Sequence, residues 1–247
     1  QLVNMKIQQT TKPSKLSEDC DPVPPDGCWL WQVLIMYWNA LYYLPHFFRR
    51  WTFFNHHSNT PAELLQQHTG IQSNYNKSKI ATATGGHHDF IKETIMENGD
   101  NRAMQIAGEL LHTFQVFPPS VMVPFGTYDM ENRLMQRGDL IHLDVKIFPG
   151  ILDTFMIIRI VDTVNTDTTK ALTLETTPVH DEIGQMHLEI NLLPSGRMEF
   201  TFEAHSCPHA PLRVLPIRFL ARHMQVTGYH AAVKNITEKI NESQLNM

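Results

Sequence analysis

Residues 171–232 decide the fold: ALTLETTPVHDEIGQMHLEINLLPSGRMEFTFEAHSCPHAPLRVLPIRFLARHMQVTGYHAA. Leu172 and Leu174 alternate with Thr173 and Glu175. Met186, Leu188, Ile190 and Leu192 alternate with His187, Glu189 and Asn191. Met198, Phe200, Phe202 and Ala204 alternate with Glu199, Thr201 and Glu203. A period of two puts apolar side chains on one face and polar ones on the other, the signature of antiparallel strands with one buried face. Leu193-Pro194-Ser195-Gly196 supplies the turn between the last two. After Pro208–Pro216, Ile217, Leu220, Met224, Ala231, Val233 and Ile236 form a helical stripe. A sheet closed by a long C-terminal helix follows.

Working backwards, Ile141, Leu143, Val145 and Ile147 alternate with His142, Asp144 and Lys146, and 151–161 is largely apolar. Met104, Ala107, Leu110, Leu111 and Phe114 recur at helical spacing until Pro118-Pro119 stops them. The pattern predicts an α+β domain over 80–247. It has about six antiparallel strands counted from Pro119, with one amphipathic helix before them and one after. Residues 52–79 read as a linker with one short helix around Pro61–His68.

The same stretch resembles a plant and bacterial family of unknown function, uncharacterised protein family 0548, over roughly the last two thirds of the chain. The matching positions are His180 and Gly184 in a turn, Ser206 and Pro208 after the hairpin, and a helix from about Arg213. The family's acidic pair after the glycine is Gln185-Met186 here, its basic residue before the proline is Cys207, and its Arg/Gln-bearing helix is matched loosely by Arg218, Arg222 and Gln225. The resemblance implies a helix-grip fold like that of START and polyketide-cyclase domains, with a cavity between curved sheet and terminal helix.

Composition narrows the classes. An apolar fraction of 42% is ordinary for a globular chain, and a net charge of −5 without basic clusters argues against a nucleic-acid surface. Three cysteines make no disulfide scaffold, although Cys20 and Cys28 flank a proline run and could pair in an oxidising compartment.

Residues 1–27 read as an extended polar arm. The stretch 28–51 then begins CWLWQVLIMYWNALYYLPHFF, and between Trp29 and Leu44 it carries no charge. At ~1.5 Å per residue a helix here reaches most of the way across a ~30 Å hydrocarbon core. Trp29, Trp31 and Tyr42 would sit near its ends, with Leu34, Ile35, Trp38 and Leu41 in the apolar body. Gln32, Asn39 and His46 share one face, which suits contact with other protein or an interface. A spanning helix, an interfacial helix and a soluble core helix all remain open. If it spans, Arg49-Arg50 places the large domain on the matrix or stromal side.

Several constellations could carry chemistry. His205, Cys207 and His209 would point one way in a strand and could begin a zinc or copper site. Pro208 interrupts them and no second pair has matching spacing, so no metal site is assigned. His180-Asp181-Glu182 could hold a general base, yet the same residues make an ordinary polar turn. No nucleophile elbow, phosphate loop or dinucleotide fingerprint is present, so no catalytic residue is assigned.

The leading expectation is a non-catalytic accessory subunit of an organellar membrane complex, at the mitochondrial inner membrane rather than the thylakoid. Its partners would be other subunits and the bilayer, without nucleic acid. The alternative is a protein that binds a lipid, quinone or isoprenoid, with His180, Phe200, Phe202, Ser206, Arg218, Phe219 and Met224 around the ligand. The Phe and Met content fits a filled core equally well. A cyclase- or hydrolase-like enzyme using His180 or His205 is the third reading. No cofactor is expected beyond a bound lipid.

Overall fold

The computed structural model describes residues 51–53, 59–82, 86–148, 152–208 and 217–245. The arm with Cys20 and Cys28, and the apolar stretch with Trp29, Trp31, Leu34, Ile35, Trp38, Leu41 and Tyr42, lie outside the described residues, as do the side chains of Arg218 and Phe219. Among the described residues no helix is long and apolar enough to cross a membrane.

Strand β1 (Trp51–Phe53) precedes two short helices, α1 (Pro61–Gln67) and α2 (Lys77–Thr82). Next come β2 (His87–Met96), α3 (Asn101–His112), β3 (Met122–Gly126) and the single turn α4 (Thr127–Met130). Strands β4 (Leu140–Phe148), β5 (Leu152–Asn165), β6 (Thr169–Thr176), β7 (Glu182–Leu192) and β8 (Met198–Pro208) lead to α5 (Ile217–Leu245). All pairings are antiparallel, in the order β2-β8-β7-β6-β5-β4-β3, with β1 added beside the start of β5.

The six strands expected after Pro119 are present, and the structure adds β2 and β1. Trp51, read as the end of the apolar helix, instead opens β1. Strand β2 pairs with β8, bringing the first long strand beside the last. Bulges at Thr94/Met96, Lys146/Phe148 and Ile160/Asp162 each bend their strand, which curves the sheet.

Two local devices start the helices. Thr60 caps α1 through a reciprocal box with Glu63, and Pro61 occupies the first turn, where its missing N–H costs nothing. The Asp100 carboxylate accepts from Ala103 N at 2.7 Å and starts α3. The β7–β8 turn closes with Leu193 N donating to Arg197 O at 2.9 Å, and Gly196 takes φ +85°, which a side chain would resist.

The inner face of the sheet carries the core. Ile91, Leu143, Ile158, Leu172, Leu188, Phe200 and Phe202 meet Ala103, Met104, Ala107 and Leu111 of α3. The second half of α5 packs beside α3 through Tyr229, Ala232, Val233, Ile236 and Ile240, spaced three and four apart. Asn235 fastens it by donating to Gln115 O and Val116 O. On the outer face a smaller cluster joins Leu65 of α1 to Leu140 and Ile157. Among the described side chains before Tyr229, Met224 only borders this core, and the space beneath residues 223–229 is the candidate site.

Candidate ligand cavity

A cavity of about 480 Å³ lies between the sheet and residues 223–229 of α5. Its body is apolar: Phe114 and Phe117 from the loop after α3, Val121 and Met122 at β3, Leu143 and Val145 on β4, and Met156 and Ile158 on β5. Leu174, Met186 and Ala204 form the sheet floor, and Met224 and Gly228 the helical roof. The alternation explains this placement: the inward residues of β4 to β8 that meet helix further along meet empty space here. Such a volume is within the ~300–1,000 Å³ range of small-molecule sites.

One end is polar. Asp181, Glu182, His180, Ser206, Gln225 and Tyr229 border it. Behind them Asp89, 2% exposed, is gripped by both Nη atoms of Arg222, with Nη1 at 2.5 Å from Oδ2. The Tyr229 hydroxyl also donates to Asp89 at 3.4 Å. Arg222 Nη1 reaches Gln225 Oε1 at 3.3 Å, and Gln225 Nε2 donates to Glu182 Oε2 at 2.6 Å. A chain of polar contacts thus runs from β2 through α5 to the start of β7.

The charges there are mutually adjusted. Glu182 is pushed up to about 7, first by loss of solvation and then by Asp181 and Asp89; the Ser206 hydroxyl and Arg222 pull the other way. Burial raises the Tyr229 phenol well above its ordinary value, and the Asp89 and Glu182 carboxylates raise it further. The Arg222 guanidinium is held above its usual value by its bond to Asp89. With the Glu182 carboxyl raised and Ser206, Gln225 and Tyr229 as neutral hydrogen-bonding groups, this end suits a hydroxyl or carbonyl group.

His180 lies in the turn that leads into β7. Its Nδ1 lies 2.9 Å from the Glu182 backbone nitrogen and 3.1 Å from the Glu182 backbone oxygen. This is turn chemistry, although the ring borders the cavity. Thr154, 1% exposed, points inward from β5 with its hydroxyl unpartnered, a polar spot in the otherwise apolar wall.

Of the residues singled out from sequence, His180, Ser206 and Met224 border the cavity. Phe200 and Phe202 do not. Both are fully buried beneath α3 and the second half of α5, and Phe202 packs on Tyr229 with ring centroids 4.1 Å apart. They face inward as the alternation predicts, but lie further along their strand, where helix fills the space. His205 is on the outer face, remote from the cavity, and pairs across strands with His88. Sequence reasoning missed Asp89 and Tyr229. The signal was present in Asp89 at an inward position of a strand, which requires a buried cationic partner.

Gly184 has a plain reason. It lies in β7 rather than in a turn, and a Cβ there would sit 2.7 Å from the His205 carbonyl oxygen. The close approach of β7 to β8 requires its absence.

No family model and no curated protein matches the chain. Among solved structures, a hypothetical protein from Helicobacter pylori aligns over 69% of this chain and 96% of its own, at 10% identity and TM-score 0.45. The Zhui aromatase/cyclase from a Streptomyces species aligns over 63% and 94%, at 13% identity and TM-score 0.44. A major latex-like protein from Panax ginseng aligns over 65% and 98%, at 12% identity and TM-score 0.41.

Proposed function

We propose that this domain binds one small hydrophobic molecule, of the lipid, quinone or isoprenoid kind, between sheet and terminal helix in a helix-grip arrangement. The observation that carries the reading is the cavity of about 480 Å³, apolar along its body and polar at one end. An empty space of this size among well-packed strands forfeits dispersion contacts, and a ligand with an apolar body restores them. Glu182, Gln225 and Ser206 meet its hydroxyl or carbonyl end. Met186 and Met224 adapt to its shape.

The accessory-subunit reading rests on 28–51, outside the described residues, and no feature of the domain favours it over ligand binding.

Native mass spectrometry of the chain, purified in mild detergent and stripped of it in the gas phase, tests the proposal. A small molecule retained in about one copy is expected. It is lost in Gly228→Leu, because a Cβ at 228 fits at 3.7 Å from Val121 and the larger side chain extends into the cavity. A native chain that retains nothing, and that displaces no fluorescent fatty-acid analogue, would sink the reading.

A further inference from the structure

The outer face of the sheet carries a second constellation, on the side away from the cavity. His88 of β2 and His205 of β8 are direct cross-strand partners, and Glu203 lies two residues before His205 on the same face. The two imidazoles stack with centroids 4.1 Å apart and planes within 6°. Both Nε2 atoms are aimed at one oxygen: Glu203 Oε1 is 3.0 Å from His88 and 3.1 Å from His205. Each side chain is a little over one third exposed, so the site opens to solvent. One ligand atom from each of the three lies within 4.8 Å of the others.

The two nitrogen–oxygen spacings suit an ion, and the rings, near-parallel as they stand, must tilt apart for both Nε2 lone pairs to converge on it. A tetrahedral centre with bonds of ~2.0–2.1 Å to nitrogen and oxygen separates neighbouring ligand atoms by about 3.3 Å. The Nε2–Oε1 spacings differ from that by only a few tenths of an ångström. Two imidazoles and one carboxylate suit zinc and its neighbours among the divalent transition metals, not calcium or magnesium.

We propose that His88, Glu203 and His205 bind one divalent transition-metal ion of the zinc type, with a solvent-facing position open. The sequence offered His205, Cys207 and His209 as a possible beginning of a site and assigned none. The sheet instead supplies His88 from the neighbouring strand, a partner more than a hundred residues away that no spacing rule reveals.

Zn²⁺ is titrated calorimetrically into the full chain. One ion per chain is expected, and affinity should fall by more than about tenfold in each of His88→Gln, His205→Gln and Glu203→Gln, given that even supporting groups around a metal are worth ~10–100-fold. His187→Gln, on the same face and next to Glu203 in the ladder, should leave affinity unchanged. X-ray absorption at the zinc edge of the native chain gives a second readout, independent of any variant's folding, and should show two imidazoles in the first shell. With fourteen histidines in the chain, zinc held elsewhere is the rival outcome. Native-level affinity in the His88→Gln/His205→Gln double variant, a first shell without paired imidazoles, or no uptake at all would overturn the proposal.

Discussion

Arg222→Met tests whether the Asp89–Arg222 pair secures the start of α5 to the sheet. Methionine keeps much of the apolar stem while removing the guanidinium and its two bonds to the carboxylate. Asp89 is 2% exposed, so it is left as a buried charge without its cation. Breaking such a pair from one side costs ~3–5 kcal/mol. Arg222 keeps 21% of its side chain exposed, so water can partly replace it, which places the expected loss near the lower figure, about 3 kcal/mol. For a domain of this size each kcal/mol moves the melting temperature by ~2–4 °C, so a fall of about 6–12 °C is expected. Thermal unfolding followed by far-ultraviolet circular dichroism measures it. The Asp89→Leu/Arg222→Met double variant should recover most of the loss, since an apolar pair leaves no stranded charge. A single-variant loss below about 1 kcal/mol, or a double variant whose losses simply add, would refute the reasoning.

Glu182→Gln addresses the raised carboxyl. Its folded value of about 7 lies above the unfolded value near 4.5, so the folded state holds the proton more tightly between them. The stability due to this group is complete below about pH 4.5 and is lost as pH rises through 7. The variant should flatten that slope in chemical denaturation and be more stable than the native chain at pH 8 by on the order of 2 kcal/mol; a native-like slope would contradict the assignment. Gly184→Ala puts a Cβ 2.7 Å from a backbone oxygen of β8, and urea unfolding should record a loss of roughly 2 kcal/mol from the strained ladder. Thr154→Val replaces a buried, unpartnered hydroxyl with an isosteric methyl and should raise stability by about 1 kcal/mol in the empty protein. A drop there would mean that the hydroxyl has a partner in solution.

Strands β4, β6, β7 and β8 were legible from their period of two and β5 from its long apolar run, and the Pro194–Gly196 turn fixes where β7 becomes β8. Strand β2 was not. Its sequence HHDFIKETIM puts Asp89 and Glu93 on the inward face with Ile91 and Ile95, and Phe90 outward, so apolar and polar residues mix on both sides. The inversion makes sense only with Arg222 opposite Asp89, a contact across 133 positions. Strand β3 is short and contains Pro124, tolerable because it lies at the edge of the sheet, where one backbone donor is not needed. The cavity was half legible. Parity put Met186 and Ala204 on the inward face, where they border the cavity, but parity says which face a residue joins, not how far along the strand the helix covers it. That distance separates Phe200 and Phe202, under solid packing, from Ala204 and Ser206, over open space.

The attachment of α5 bears on timing. Its second half is held by a continuous apolar seam and by Asn235. Its first half crosses the cavity and is tied down near Arg222. Among the described side chains the ties there are polar, Arg222 to Asp89 and Gln225 to Glu182, whereas the second half is held by apolar packing. For the ligand proposed above, the strength of these polar ties, and with it the pH and ionic strength, would enter its residence time alongside the apolar fit of the cavity.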